Sequence, residues 1–136
     1  MLNRKKYEQD AVNLYRSTNA AILSTMSKKY EGYPFWSFIT YATDKSRTLF
    51  MYTSDIAQHT KNLKNDSKAC VTLFKLDTEY DKQNSSRLTL MGDLKKVPKD
   101  DLDDCQERFV KFLPESKKYS SMHDFKFYKL EISRVR

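Results

Sequence analysis

The sequence predicts a mainly β (α+β) fold, a six-stranded antiparallel barrel with short flanking helices. Three observations carry that expectation. Six segments concentrate or alternate β-branched and aromatic residues over strand lengths, several links between them are turn-sized, and helical periodicity is confined to short stretches. A doubly wound parallel sheet would need a crossover helix between successive strands, and no βαβ regularity is present.

Residues 4–17 space Tyr7, Ala11, Leu14 and Tyr15 on one helical face. Residues 20–27 (AAILSTMS) read as a first strand, and YEGYP as a turn whose Pro34 fits a strand start or edge. Residues 35–43 form a second strand, with Phe35, Ser37, Ile39 and Tyr41 on one face and Trp36, Phe38, Thr40 and Ala42 on the other. A polar turn at 44–46 returns the chain through residues 47–53, which predicts an antiparallel hairpin. Residues 55–64 follow as a short helix, with Asp55 and Gln58 at capping-box spacing and Asn65-Asp66 as its stop. Strands at 68–76 and 87–97 flank a polar loop, the second alternating Leu88, Leu90 and Leu94 against Arg87, Thr89 and Met91. Pro98 precedes an acid-rich helix start, which suits the positive helix terminus. That helix carries Leu102, Cys105, Phe109 and Phe112 on its apolar face and stops at Pro114. A last strand covers 125–135.

The whole chain narrows the function classes. With 136 residues, 39% of them hydrophobic, it is expected to form one domain spanning 1–136, with no repeat, linker or disordered tract. No apolar run approaches the ~20 residues of a membrane span, and the basic N-terminus lacks the apolar core of a secretory signal. Cys70 and Cys105 lie far apart without metal-ligand spacing, as reduced packing thiols of a cytoplasmic protein would. The net charge of +7 is scattered over separate lysine pairs, so no nucleic-acid partner is expected. Two glycines are too few for a Walker or dinucleotide phosphate loop. Two histidines outside any HxH or HExxH pattern argue against a protein-built metal site, and no GxSxG elbow is present.

The chemistry concentrates at one strand-to-helix junction, YTSDIAQHTKN. Tyr52, Thr53, Ser54, Gln58, His59 and Thr60 supply hydroxyl, amide and imidazole donors where a helix terminus adds favourable potential for an anion. Two readings fit it: a phosphate site built from side chains, and ordinary helix capping with His59 on the surface. Asp55 competes with an anion unless it points away or pairs with a lysine. Tyr33, Phe35, Trp36 and Tyr52 read as core or dimer-interface aromatics, or as walls for a planar ring.

Four stretches then carry a resemblance: GYPFWSFITYA, LFMYTSDIAQHTKNLKNDSKACVTLF, SSRLTLMGDLKKVP and HDFKFYKLEISRVR. In this order they are similar to the FMN-binding split-barrel superfamily, and most to the branch related to pyridoxamine 5′-phosphate oxidase that includes haem-utilisation proteins. The likeness covers about residues 8–136. It implies a six-stranded split barrel, FMN at a homodimer interface, and a possible cytoplasmic oxidoreductase acting at the flavin N5 on an unknown small molecule. Phe35, Trp36, Ser37, Phe38 and Ile39 would line the flavin ring, and Tyr52 and Thr53 match the family's Tyr-Thr contact pair. Gln58 and His59 stand where the oxidase has its phosphate-gripping Arg-Lys pair, and Arg87 where it has a glutamine. The oxidase's substrate-binding arginine and C-terminal motif have no counterpart here. The resemblance also leaves a haem-binding protein on the same barrel, and a cofactor-free dimeric scaffold, as alternatives.

Overall fold

The computed structural model describes residues 3–136. Its element order is α1 (Arg4–Ser17), β1 (Ala20–Met26), β2 (Pro34–Thr40), β3 (Ala42–Thr43), β4 (Leu49–Ser54), α2 (Gln58–Asn65), β5 (Lys68–Lys75), β6 (Ser86–Lys96), α3 (Leu102–Phe112) and β7 (Phe125–Val135). Short 3₁₀ turns precede β6 and flank α3. The strands form one antiparallel sheet in the order β2-β1-β5-β6-β7-β4-β3. The sheet curls until β2 touches β4 without pairing to it, which leaves a seam in the barrel wall.

Seven strands form instead of the six expected, because the segment read as one strand over 35–43 breaks at Tyr41. Its first part pairs with β1 at one sheet edge, and Ala42 and Thr43 pair with Phe50 and Leu49 at the other. The predicted hairpin is therefore only those two residue pairs. The corner is held by Tyr41, whose hydroxyl donates to the Tyr15 carbonyl at 2.9 Å and touches the Thr18 hydroxyl. Its backbone N–H donates to the Asn19 carbonyl at 2.9 Å. The following turn is fixed by Asp44, whose Oδ1 accepts from the N–H groups of Ser46 and Thr48 at 2.8 and 2.9 Å. That turn holds Arg47 at φ 63°, a conformation that costs a non-glycine residue about 1 kcal/mol or more.

Strand alternation sorts the core into two layers. Leu23, Ile39, Leu49, Met51, Val71, Leu73, Leu90 and Leu130 fill the barrel interior beneath α1. Phe50, Phe127, Cys105, Phe109 and Leu113 pack on the other side, between β4, β7 and α3. On α3, Cys105 and Phe109 are buried as expected, whereas Leu102 and Phe112 are exposed. On α1, Leu14 and Tyr15 are buried and Tyr7 is not. A β-bulge at Met91/Gly92 lets β6 follow β7, and a Cβ at Gly92 would lie 2.0 Å from the Glu131 carbonyl oxygen. Among the described residues no helix is long and apolar enough to cross a membrane.

Candidate functional site

The seam runs past the junction singled out in the sequence. β4 alternates there, so Tyr52 joins Phe50 on the α3 side while Thr53 follows Met51 toward the barrel interior. α2 begins at Gln58, three residues later than expected. Its N-cap, Ala57, makes no side-chain cap bond, so Asp55 and Gln58 form no capping box. Asp55 instead lies 3.4 Å from the ammonium groups of both Lys64 and Lys126. Burial alone would raise its carboxyl, but these two lysines outweigh that and hold it below the ordinary carboxylate value.

The side-chain donors expected to cradle a phosphate are engaged within the chain, while among the described residues the first-turn N–H groups of α2 make no hydrogen bond. The Thr53 hydroxyl lies 2.6 Å from His59 Nε2 and 3.2 Å from the Thr60 hydroxyl, and Thr60 is fully buried. Ser54 donates to Asp124 Oδ2 at 2.5 Å. Gln58 Nε2 donates to Asn62 Oδ1 at 3.1 Å. Burial holds the His59 imidazole below its ordinary pKa, so it is neutral at neutral pH. Two carboxylates, Asp55 and Asp124, therefore occupy the ground a dianion would need. The nearby cation Lys126 is shared between Asp55 and the His123 carbonyl. The side chains thus offer a phosphate dianion few free donors, and the open α2 amides are what remains for one.

Of the junction residues, Tyr52, Thr53 and His59 line an open cleft of about 260 Å³, whereas Ser54, Gln58 and Thr60 do not. β2 contributes Phe38, Ile39 and Thr40, β4 contributes Met51, Tyr52 and Thr53, and His59, Tyr119 and Phe125 close it. None of these side chains is charged when His59 is neutral. Tyr119 and Phe125 stack at 4.8 Å with ring planes 7° apart, and Tyr52 and Phe127 stack at 4.2 Å and 15°. The Tyr52 hydroxyl donates to the Tyr119 carbonyl at 3.2 Å, tying the 3₁₀ segment to β4. Burial, and secondarily the Asp124 carboxylate, push the Tyr52 phenol above its ordinary pKa. Lys118, which does not line the cleft, holds its ammonium 5.0 Å from the Tyr119 ring centre.

The remaining predicted residues fall outside this cleft. Phe35 and Ser37 are half-buried on the inner face of β2, and Trp36 projects outward at 66% exposure. Phe38, which lines the cleft, is equally exposed. Arg87 is exposed at the start of β6, against Phe74. Arg87 does not line the cleft.

The family model described as "CREG, beta-barrel" matches residues 3–136. The chain belongs to that family. Its split barrel is shared with solved relatives that differ in sequence. The chain is 33% identical over 115 residues to the chloroplastic heme oxygenase HOZ of Arabidopsis thaliana, covering 85% of this chain and 35% of that protein. A heme-binding protein from Mycobacterium smegmatis superposes with a TM-score of 0.83 at 29% identity, over 93% of this chain and 51% of that one. HutZ, the heme storage protein of Vibrio cholerae, superposes at 0.76 with 19% identity over 100% and 94%, which shows the fold alone. The chain thus spans about a third of the plant relative and half of the mycobacterial one.

In this CREG-type barrel, Thr40 and four further cleft or support residues were not predicted from the sequence. Met51 looks like any core residue of β4. Tyr119 and Phe125 arrive from more than 60 positions along the chain, and nothing local marks them. Asn62 was detectable, because it sits four residues after Gln58 on one helix face. It is fully buried, accepts from Gln58 Nε2 and from the Lys28 N–H, and donates to the Thr25 hydroxyl.

Proposed function

We propose that this chain is a haem-binding protein that holds the macrocycle in the seam between β2 and β4. The observation that carries the reading is the cleft itself, walled by aromatic and aliphatic side chains, holding one imidazole and no charged group. A flat apolar ring gains from that surface, whereas a phosphate finds the side-chain donors already engaged. Bound haem would supply a redox-active iron, and the protein's part is to wall the ring, exclude water and orient it. The names of the plant and mycobacterial relatives agree with this reading.

The reading includes a second copy of the chain. At about 260 Å³ the cleft falls below the ~300–1,000 Å³ of ligand pockets that enclose their ligands. Trp36 and Phe38 leave an apolar surface beside it that a second copy would cover. FMN is the competing ligand, favoured by the Tyr52–Thr53 pair on the cleft wall, and an oxidoreductase acting through it is the corresponding activity. Parallel titrations with hemin and FMN, read by absorbance and by melting temperature, separate the two. A ligand at a hundred times its Kd stabilises by about 2.7 kcal/mol. The expected result is a new Soret band and a raised melting temperature with hemin, and no shift with FMN. An FMN-only response overturns the haem reading, and a response to neither leaves the cofactor-free scaffold.

A further inference from the structure

We infer that the surface around Arg47 is a second ligand site, one that takes a small organic di- or triphosphate. It stands apart from the seam and does not rest on the haem reading. Two open clefts of about 530 and 500 Å³ meet at Arg47, and neither shares a residue with the cleft between β2 and β4. Their walls bring together Lys5 and Arg16 of α1, Arg47 of the turn before β4, Lys95 and Lys96 of β6, and Lys129 of β7. Against these six cations stand two carboxylates, Glu8 and Glu131. Charge that is scattered along the sequence is gathered by the fold around one arginine. Glu8 is engaged by Arg4 at 2.8 Å, Glu131 by Lys95 at 3.4 Å, and Lys129 by Asp44 at 3.5 Å. Among the described residues, the side chains of Arg47 and Lys96 have neither a carboxylate partner nor a hydrogen bond.

Arg47 is held in place against strain, at a φ of 63° that suits glycine or asparagine better. Two bonds fix it there. Its N–H donates to the Asp44 carbonyl at 3.0 Å, and its own carbonyl accepts from the Tyr15 hydroxyl at 2.9 Å. Burial pushes the Tyr15 phenol up, so that donor keeps its proton. Strain of this kind collects where a ligand is clamped, and here it sets a guanidinium at the meeting of two clefts. A guanidinium offers a planar fork of donors to phosphate oxygens, and the lysines beside it add point charges. One phosphate would leave most of these cations unanswered, whereas a di- or triphosphate spans several. Pro98, Leu130 and Ile132 give the larger cleft an apolar floor on which an organic body can lie. No aromatic side chain lines either cleft, so the stacking platform of a single-stranded nucleic-acid site is missing.

Titration of the purified chain with ATP, pyrophosphate and inorganic phosphate tests this, read by calorimetry and by melting temperature. Salt is kept at about 50 mM, where exposed charges are weakly screened. Wild type should bind ATP and pyrophosphate at least about tenfold more tightly than inorganic phosphate. Arg47→Gly suits the left-handed backbone, so it should fold with an equal or raised melting temperature and still weaken ATP binding at least about tenfold. Lys96→Ala should weaken it too, and Lys75→Ala, exposed at the end of β5, should leave it unchanged. Ile132→Thr should weaken ATP but not pyrophosphate, which has no organic body to lay on the floor. ATP affinity that survives both Arg47→Gly and Lys96→Ala, or that falls equally in Lys75→Ala, overturns the site. Equal affinity for all three anions, or no response to ATP and pyrophosphate, overturns it as well. A single-stranded oligonucleotide that binds more tightly than ATP and weakens in the same variants makes the patch a nucleic-acid surface, and the small-ligand assignment falls.

Discussion

Replacing Asn62 with alanine removes a side chain that ties α2 to the connection between β1 and β2. Three hydrogen bonds go with it: from the Lys28 N–H at 3.0 Å, from Gln58 Nε2 at 3.1 Å, and to the Thr25 hydroxyl at 3.0 Å. Gln58 is half-exposed and can turn to water, so its bond adds little to the cost. The Lys28 amide loses its partner inside the protein and the Thr25 hydroxyl keeps only its 3.4 Å bond to the Phe35 carbonyl, and a stranded polar group costs about 1–3 kcal/mol. With the small cavity left by the amide, the expected loss is about 3 kcal/mol. For a chain of this size that is roughly a 12 °C fall in melting temperature, at about 4 °C per kcal/mol. Asn62→Leu nearly fills the space but strands the same groups, so it should cost about 2 kcal/mol or more. Asn65→Ala, at the exposed end of the same helix, should stay within about 0.5 kcal/mol. Urea denaturation measures all three, and hydrogen exchange at the Lys28 amide should accelerate in the first two. An Asn62→Ala chain within about 1 kcal/mol of wild type would refute the reasoning.

Two further outcomes follow from single contacts. Gly92→Ala drives a Cβ to 2.0 Å from the Glu131 carbonyl oxygen, so β6 and β7 must shift register or separate at the bulge. A loss of about 3 kcal/mol in urea denaturation is expected, and a loss under about 1 kcal/mol would show that the bulge yields. The His59 imidazole is held below its unfolded value of 6.5, so on acidification the unfolded chain takes up the proton first. Stability should therefore fall as pH drops through that value and level off below the folded pKa. Wild type should lose more urea-midpoint stability than His59→Gln between about pH 7.5 and about pH 5.5. Equal losses would mean that the ring titrates freely in the folded chain.

The elements were legible wherever a residue dictates the backbone. Pro34 opens β2, Asn65-Asp66 closes α2, Pro114 follows the end of α3, and β7 spans the residues its alternation marks. What the sequence hides is partnership. The run from Phe35 to Thr43 contains no glycine or proline, so nothing in its period reveals that it changes sheet edge at Tyr41. The site was legible as a place and not as a chemistry. Thr53, Ser54, Gln58, His59 and Thr60 do converge at one junction, but donor types alone do not say whether a donor is free. Asp124, seventy positions away from Ser54, answers that question, and only the fold brings it there.

The place and the chemistry have a common origin in the way the sheet ends. A closed barrel would pair β2 with β4 and leave no cleft between them. Here the chain turns its corner at Tyr41, so β2 and β4 come from opposite ends of one sheet and meet side chain to side chain. The wall that results is made of strand side chains, which in this sequence are Phe38, Ile39, Met51 and Tyr52, and it is therefore apolar. Besides Thr40 and Thr53 of the strands themselves, polar groups reach the seam from the α2 junction and the segment before β7. Both arrive with their bonds largely made, Thr53 to His59 and Thr60, and Ser54 to Asp124. Gln58 and His59 then decide what the seam can hold. With two permanent cations at those positions the junction would outweigh Asp55 and Asp124 and draw an anion. With an amide spent on Asn62 and a neutral imidazole, the junction adds no such charge, and the wall of the seam stays apolar.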